Sequence, residues 1–129
     1  MGQREEDTVR AFLDAQAEGD IDRALDYLAK DADYRIPAWK ASLKDTDAIW
    51  SALERDHATL TDMRIDVLNV ASTNRVVFSE RIDYQHMKDI GRDTEVHIVG
   101  VYELGPDGMI VSEREYFDMK EVEAQMGAA

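Results

Sequence analysis

Cysteine is absent from the chain, so disulfides, thiolate metal sites and cysteine nucleophiles are all excluded. Basic residues are scarce: 15 Lys and Arg face 28 Asp and Glu, a formal net charge of −13 with a pI near 4.5. That balance argues against binding a phosphate backbone, which needs a basic face, and against attachment to anionic lipid. No apolar run approaches the ~18–20 residues of a membrane span. The opening stretch, with Arg4, Glu5, Glu6 and Asp7, is too polar and acidic for a signal peptide. Cytoplasmic residence is the default expectation, with no nucleic-acid or membrane partner.

What remains is a chain of 129 residues with 44% hydrophobic content, enough for one compact domain over 1–129 with a real core. Val9, Phe12, Leu13 and Ala17 recur at helical spacing. Gly19-Asp20 breaks that run and offers a stop and a fresh N-cap, after which Ile21, Ala24, Leu25 and Leu28 form a second stripe. Asp33 to Pro37 reads as a short extended segment, because proline biases the preceding Ile36 away from helix. A third helix is expected from about Thr46 to Leu60, with Ile49, Trp50 and Leu53 facing inward. The second half is rich in Val, Ile, Tyr and Phe over Met63–Ala71, Arg75–Tyr84, Thr94–Leu104 and Met109–Met119. These runs are separated by Ser72-Thr73-Asn74, by a longer polar loop containing Gly91, and by Gly105-Pro106-Asp107-Gly108, a strong hairpin signal. Helices followed by antiparallel strands predict an α+β fold, with helices packed on one side of a curved sheet. The Gly105–Gly108 turn lacks the Lys and Ser/Thr of a phosphate loop, and no dinucleotide fingerprint is present.

The informative stretch is Ser79-Glu80-Arg81-Ile82-Asp83. Residues two apart on a strand share a face, so Arg81 and Asp83 point the same way, opposite Val76, Phe78, Glu80 and Ile82. In the last strand Glu115 shares a face with Phe117, and Arg114, Tyr116 and Asp118 share the other; parity alone leaves open which carboxylate points inward. The Arg81-x-Asp83 pair has a plain reading as an exposed cross-strand ladder, contributing ~0–1 kcal/mol. Its apolar neighbours Val77 and Phe78 support a second reading. One arginine between two carboxylates in a dry cavity balances only one negative charge, so the other carboxyl is pushed to hold a proton. An ionised base and a neutral acid bridged by a guanidinium suit the addition of water across a strained bond.

Ser79–Asp83, the strand Val96-His97-Ile98-Val99-Gly100-Val101-Tyr102, and Arg114-Glu115-Tyr116-Phe117-Asp118-Met119 together resemble the limonene-1,2-epoxide hydrolase family. The likeness runs from about Asp33 to Glu123, in matching order and spacing. It implies a cone-shaped curved-sheet fold shared with nuclear transport factor two and ketosteroid isomerase, a homodimer, and neither metal nor cofactor. By position, the resemblance makes Asp83 the base that activates water, Arg81 the bridge and Glu115 the acid that protonates the epoxide oxygen. Tyr34 matches a tyrosine that holds the attacking water, and Val96 and Ile98 match apolar pocket positions. Two departures stand out. The family acid is aspartate, and the extra methylene of Glu115 adds about 1.5 Å of reach, where ~1 Å of misplacement can cost about a hundredfold in rate. Where the family has a water-holding asparagine, this chain has Ile36, which cannot hydrogen-bond water.

Ile36, Trp39, Val96, Ile98 and Phe117 are the expected substrate contacts. His57 is expected on a solvated helix face, His86 near the pocket mouth and His97 opposite Val96 and Ile98; their spacing gives no metal site. The expected function is cofactor-free opening of a small hydrophobic epoxide to a vicinal diol in one step. The alternatives are an isomerase or an epoxide-opening cyclase on the same fold, or a non-catalytic module binding a hydrophobic ligand.

Overall fold

Gly19 and Asp20 divide the N-terminal helical region as their chemistry dictates. In the computed structural model, which describes residues 2–127 and leaves the Trp39 side chain outside the description, α1 spans Gln3–Ala17. Gly19 takes φ 78°, a left-handed conformation, and the Asp20 N–H reaches back to the Ala15 carbonyl at 3.0 Å. Asp20 then caps α2 (Ile21–Leu25), its carboxylate accepting from the Arg23 N–H at 3.1 Å. Val9, Phe12 and Leu13 of α1 are fully buried and pack, with Ala24, against the concave side of the sheet.

Leu28 does not close a second helical stripe; it opens β1 (Leu28–Ile36), which is longer than the extended segment expected around Pro37. A 3₁₀ turn over Pro37–Trp39 leads to β2 (Ala41–Lys44), a short edge strand with no strong sequence signal. Asp45 caps α3 (Thr46–Thr59) through the Ala48 N–H at 3.0 Å. Ile49 and Leu53, four apart, set the inward stripe of α3. Trp50 falls off that stripe, is 37% exposed and donates its indole N–H to Asp22 at 3.1 Å, which corrects its expected inward placement.

The sheet continues with β3 (Leu60–Thr73), β4 (Val76–Met87), β5 (Arg92–Leu104) and β6 (Ile110–Tyr116). Strand order is β2-β1-β6-β5-β4-β3, and all neighbours are antiparallel except β1 and β6, so the curved sheet is mixed. Bulges in β3, between Thr61 and Arg64 and between Val67 and Asn69, accompany its bend. The Gly91 connection is a tight turn, because β4 and β5 stay paired out to Met87 and Arg92. Gly105–Gly108 forms the expected hairpin, with the Gly105 N–H on the Met109 carbonyl at 2.8 Å.

The last strand ends at Tyr116, short of the expected Met119. Asp118 instead caps a helix, α4 (Met119–Gln125), by accepting from the Lys120 N–H at 2.9 Å. The half of β5 before Val99 extends past β6, and α4 covers that open edge. The Gln125 side-chain amide bonds both the N–H and the carbonyl of Glu95, at 2.6 and 2.7 Å, in place of a strand neighbour. Among the described residues no helix is long and apolar enough to cross a membrane.

Asn74 and Arg75, at φ 48° and 65°, make the two-residue turn between β3 and β4. Arginine is strained in the left-handed region, which costs ~1 kcal/mol more than glycine there. Arg75→Gly is therefore expected to stabilise the protein by up to ~1 kcal/mol, seen as a higher midpoint in thermal unfolding.

Candidate functional site

Period-2 alternation delivers one polar set to the concave face of the sheet. On β4, Val77, Ser79 and Arg81 are buried, and Asp83 follows on the same side; Phe78 and Glu80 turn outward. Register aligns Arg81 with Ile98 and Asp83 with Val96 on β5. Gly100 of β5 lies beside Glu115 of β6, and Glu113 lies between Tyr102 on β5 and Tyr34 on β1. Residues from four strands thus meet around one guanidinium.

Arg81 is 2% exposed. Its Nε donates to Asp83 Oδ1 at 2.9 Å, its Nη2 to Glu115 Oε2, and its Nη1 to the Tyr102 hydroxyl at 2.6 Å. Tyr34 donates its hydroxyl to Glu115 Oε1 at 2.6 Å. Tyr102 also shares a hydrogen bond with Ser79 Oγ at 2.9 Å. A β-carbon on Gly100 would collide with the Tyr102 hydroxyl, so this glycine clears the space through which Tyr102 reaches Arg81.

The carboxyls differ in what they receive. Burial pushes Glu115 up, but the Arg81 charge and the hydrogen bonds from Tyr34 and Arg81 outweigh it and hold Glu115 below the usual carboxylate range. Burial also raises Asp83, and there the Glu115 charge adds to it, so that Arg81 only partly compensates. Glu113 is pushed well above the ordinary range by burial and by Glu115. Arg81 stays charged: burial opposes it, while Tyr102, Glu115 and Asp83 favour the cation.

This cluster forms one wall of a cavity of about 250 Å³, slightly below the ~300–1,000 Å³ of pockets for drug-sized ligands. Of the expected substrate contacts, Ile36, Val96, Ile98 and Phe117 line it, together with Tyr34, Arg81, Asp83 and Glu115. Trp39 is the remaining expectation, and its side chain lies outside the described residues. Val122 and Met126 close the wall on the α4 side. His57, expected in solvent, lines the cavity instead, because its Nε2 is tied to the Gln16 carbonyl at 2.8 Å. His86 does not reach the cavity lining and pairs with Asp93 at 2.7 Å. His97 points outward to Glu121 at 2.8 Å. Among the described residues no group of His, Asp and Glu could hold a metal ion.

Glu113, Tyr102 and Gly100 were not anticipated from sequence. The signal for Glu113 was present, since it lies two residues before Glu115 and shares its face. Nothing local in the sequence marks Gly100 or Tyr102; their role arises from register across β4, β5 and β6.

Comparison with solved structures gives the same architecture. A protein of ketosteroid isomerase-like fold from Catenulispora acidiphila, in complex with trimethylamine, aligns over 95% of this chain and 93% of its own, with a TM-score of 0.85 and 19% identity. An epoxide hydrolase from M. tuberculosis, described as LEH-like, aligns over 95% and 89%, with a TM-score of 0.83 and 21% identity. A candidate SnoaL-like polyketide cyclase from Shewanella denitrificans aligns over 97% and 98%, with a TM-score of 0.87 and 14% identity. At these identities the likenesses show the fold alone. The SnoaL-like domain family matches residues 9–113, most of the length, and the chain belongs to that family.

Proposed function

We propose that the protein opens a small hydrophobic epoxide with water, giving a vicinal diol without a covalent intermediate. The observation that carries this reading is the Arg81 clamp: one guanidinium joins Asp83 and Glu115 at the wall of a cavity whose lining also includes the apolar Ile36, Leu53, Ile65, Val96 and Ile98. Asp83, the more exposed of the two carboxyls, takes the proton from the attacking water. Glu115 delivers a proton to the epoxide oxygen as its C–O bond breaks. Tyr34 holds Glu115 Oε1, and its hydroxyl oxygen can still accept from water. Arg81 and Tyr34 hold the Glu115 carboxyl below the usual range, the reverse of the neutral acid expected from the sequence, so in this reading a proton has to reach it during turnover.

A second reading, an epoxide-opening cyclase, draws on Ile36. That side chain lines the cavity beside Tyr34, whose hydroxyl proton is given to Glu115, so neither residue donates a hydrogen bond to a water there. A substrate carrying its own hydroxyl nucleophile would not need them. The likeness to a candidate polyketide cyclase agrees with this reading as well as the hydrolase likeness does with the first. An isomerase would use the same acid and base without adding water.

A homodimer belongs to the same proposal. Phe78, Val99 and Tyr116, each at least 40% exposed on the convex face, lie on the adjacent strands β4, β5 and β6, a patch suited to a second copy. Sedimentation velocity at micromolar concentration is expected to give a dimer; a monomer removes this part of the reading.

Incubation with a panel of small epoxides in heavy-oxygen water is expected to yield diol bearing the label, with none on a carboxylate. Asp83→Asn is expected to lower turnover by ~10²–10⁴-fold, the usual contribution of a general base. A cyclic ether in place of the diol selects the cyclase, and an unaffected Asp83→Asn rate removes Asp83 from the chemistry. Asp83 must be ionised to act, and its carboxyl is raised. Activity should therefore fall as pH drops through a midpoint above the ~3.9 of a free aspartate, read from the acid limb of kcat/KM.

A further inference from the structure

Glu113 is buried beside the site and takes no part in the acid–base scheme above. It is 2% exposed, does not line the cavity, and lies two residues before Glu115 on the same face of β6. The charged groups that bear on it are Glu115 on its own strand and Arg81 and Asp83 on β4; the tyrosines paired with it in register are Tyr34 on β1 and Tyr102 on β5. Each donor in this set is already directed elsewhere. Arg81 serves Asp83, Glu115 and Tyr102, Tyr34 serves Glu115, and the Tyr102 hydroxyl is shared with Ser79 and Arg81. Both Glu113 carboxyl oxygens consequently have no donor. A buried carboxylate with no donor and an anion beside it is among the costliest arrangements a protein can hold. The conflict disappears when one proton sits between the two glutamates, since a Glu113 O–H then donates to Glu115, which accepts it as a carboxylate.

We propose that Glu113 is a proton store that feeds Glu115. It rests as a carboxylic acid with its O–H on Glu115, and acts only through Glu115, without touching substrate. This use of the proton rests on the epoxide-opening reading. In turnover the Glu113 O–H bond breaks as a Glu115 O–H forms, and the Glu115 proton goes to the epoxide oxygen as its C–O bond breaks. The water oxygen bonds to the epoxide carbon, and its proton passes to Asp83. The store refills when the Asp83 proton returns through cavity water and Glu115 to Glu113. No group is oxidised or reduced. The raised carboxyl of Glu113 and the lowered one of Glu115 match this resting distribution.

Glu113→Gln tests the store, because glutamine keeps an N–H for Glu115 but has no proton to give. Infrared spectroscopy at pH 7 should show the carbonyl stretch of a buried, protonated carboxylic acid in the wild type and in Asp83→Asn, and not in Glu113→Gln. A band missing from the wild type, or surviving in Glu113→Gln, overturns the store. Thermal unfolding gives an independent check. A glutamate whose folded-state pKa is raised loses stability as pH rises from its unfolded value, near ~4.3. The midpoint of Glu113→Gln minus that of the wild type should therefore widen with pH above that value, whereas a gap independent of pH counts against the proposal. With cyclohexene oxide as substrate, Glu113→Gln should lower kcat about tenfold with KM unchanged. An unchanged kcat overturns the relay. A wild type with the band intact but inert toward cyclohexene oxide and the wider epoxide panel overturns the relay through its parent reading, and leaves the buried acid standing.

Discussion

The buried guanidinium of Arg81 is the constraint on which the site depends. A cation withdrawn from water must be met by acceptors in matching geometry, and Asp83, Glu115 and Tyr102 supply them from β4, β6 and β5. Those partners fix the relative positions of three strands at one point. Tyr102 reaches Arg81 only because Gly100 leaves room, and Tyr34 reaches Glu115 only because β1 runs parallel beside β6. The same contact that orders the sheet therefore also composes the polar wall of the cavity.

Arg81 cannot neutralise every carboxyl around it. Asp83, Glu113 and Glu115 stand against one positive charge, and the imbalance divides them by environment. Glu115 receives two hydrogen-bond donors and keeps its charge. Asp83 is held from one side only, and Glu113 receives no donor at all. Acid–base chemistry near neutral pH needs such a separation of otherwise similar groups. Here it comes from the unequal distribution of donors among side chains of one chemical type.

Around this wall the fold supplies shape. Bulges bend β3, α1 and α3 close the concave side, and α4 seals the free edge of β5 while placing Val122 and Met126 against the cavity. A fold does not by itself fix a function, so what the cavity takes is set by the side chains that line it. Ile36 adds an apolar side chain to the lining, close along β1 to the Tyr34 hydroxyl.

Local chemistry made much of this molecule legible from sequence. Strand alternation placed Arg81 and Asp83 together, Gly19-Asp20 marked the helix break, and Gly105–Gly108 marked a hairpin, because each depends on neighbours within a few residues. Local patterns failed where the partner was distant. The Leu28 strand start, the β2 edge strand and the inward turn of His57 are set by contacts with remote segments. Tyr116 to Met119 read as continuing strand, and α4 emerges there because β6 ends and Asp118 can cap a helix. Alternation along the chain was enough to say which side chains share a face of each strand, and so to group Arg81 with Asp83. Which carboxyl receives donors and which receives none emerged with the folded sheet, because hydrogen-bond supply is settled by register between strands far apart in the chain.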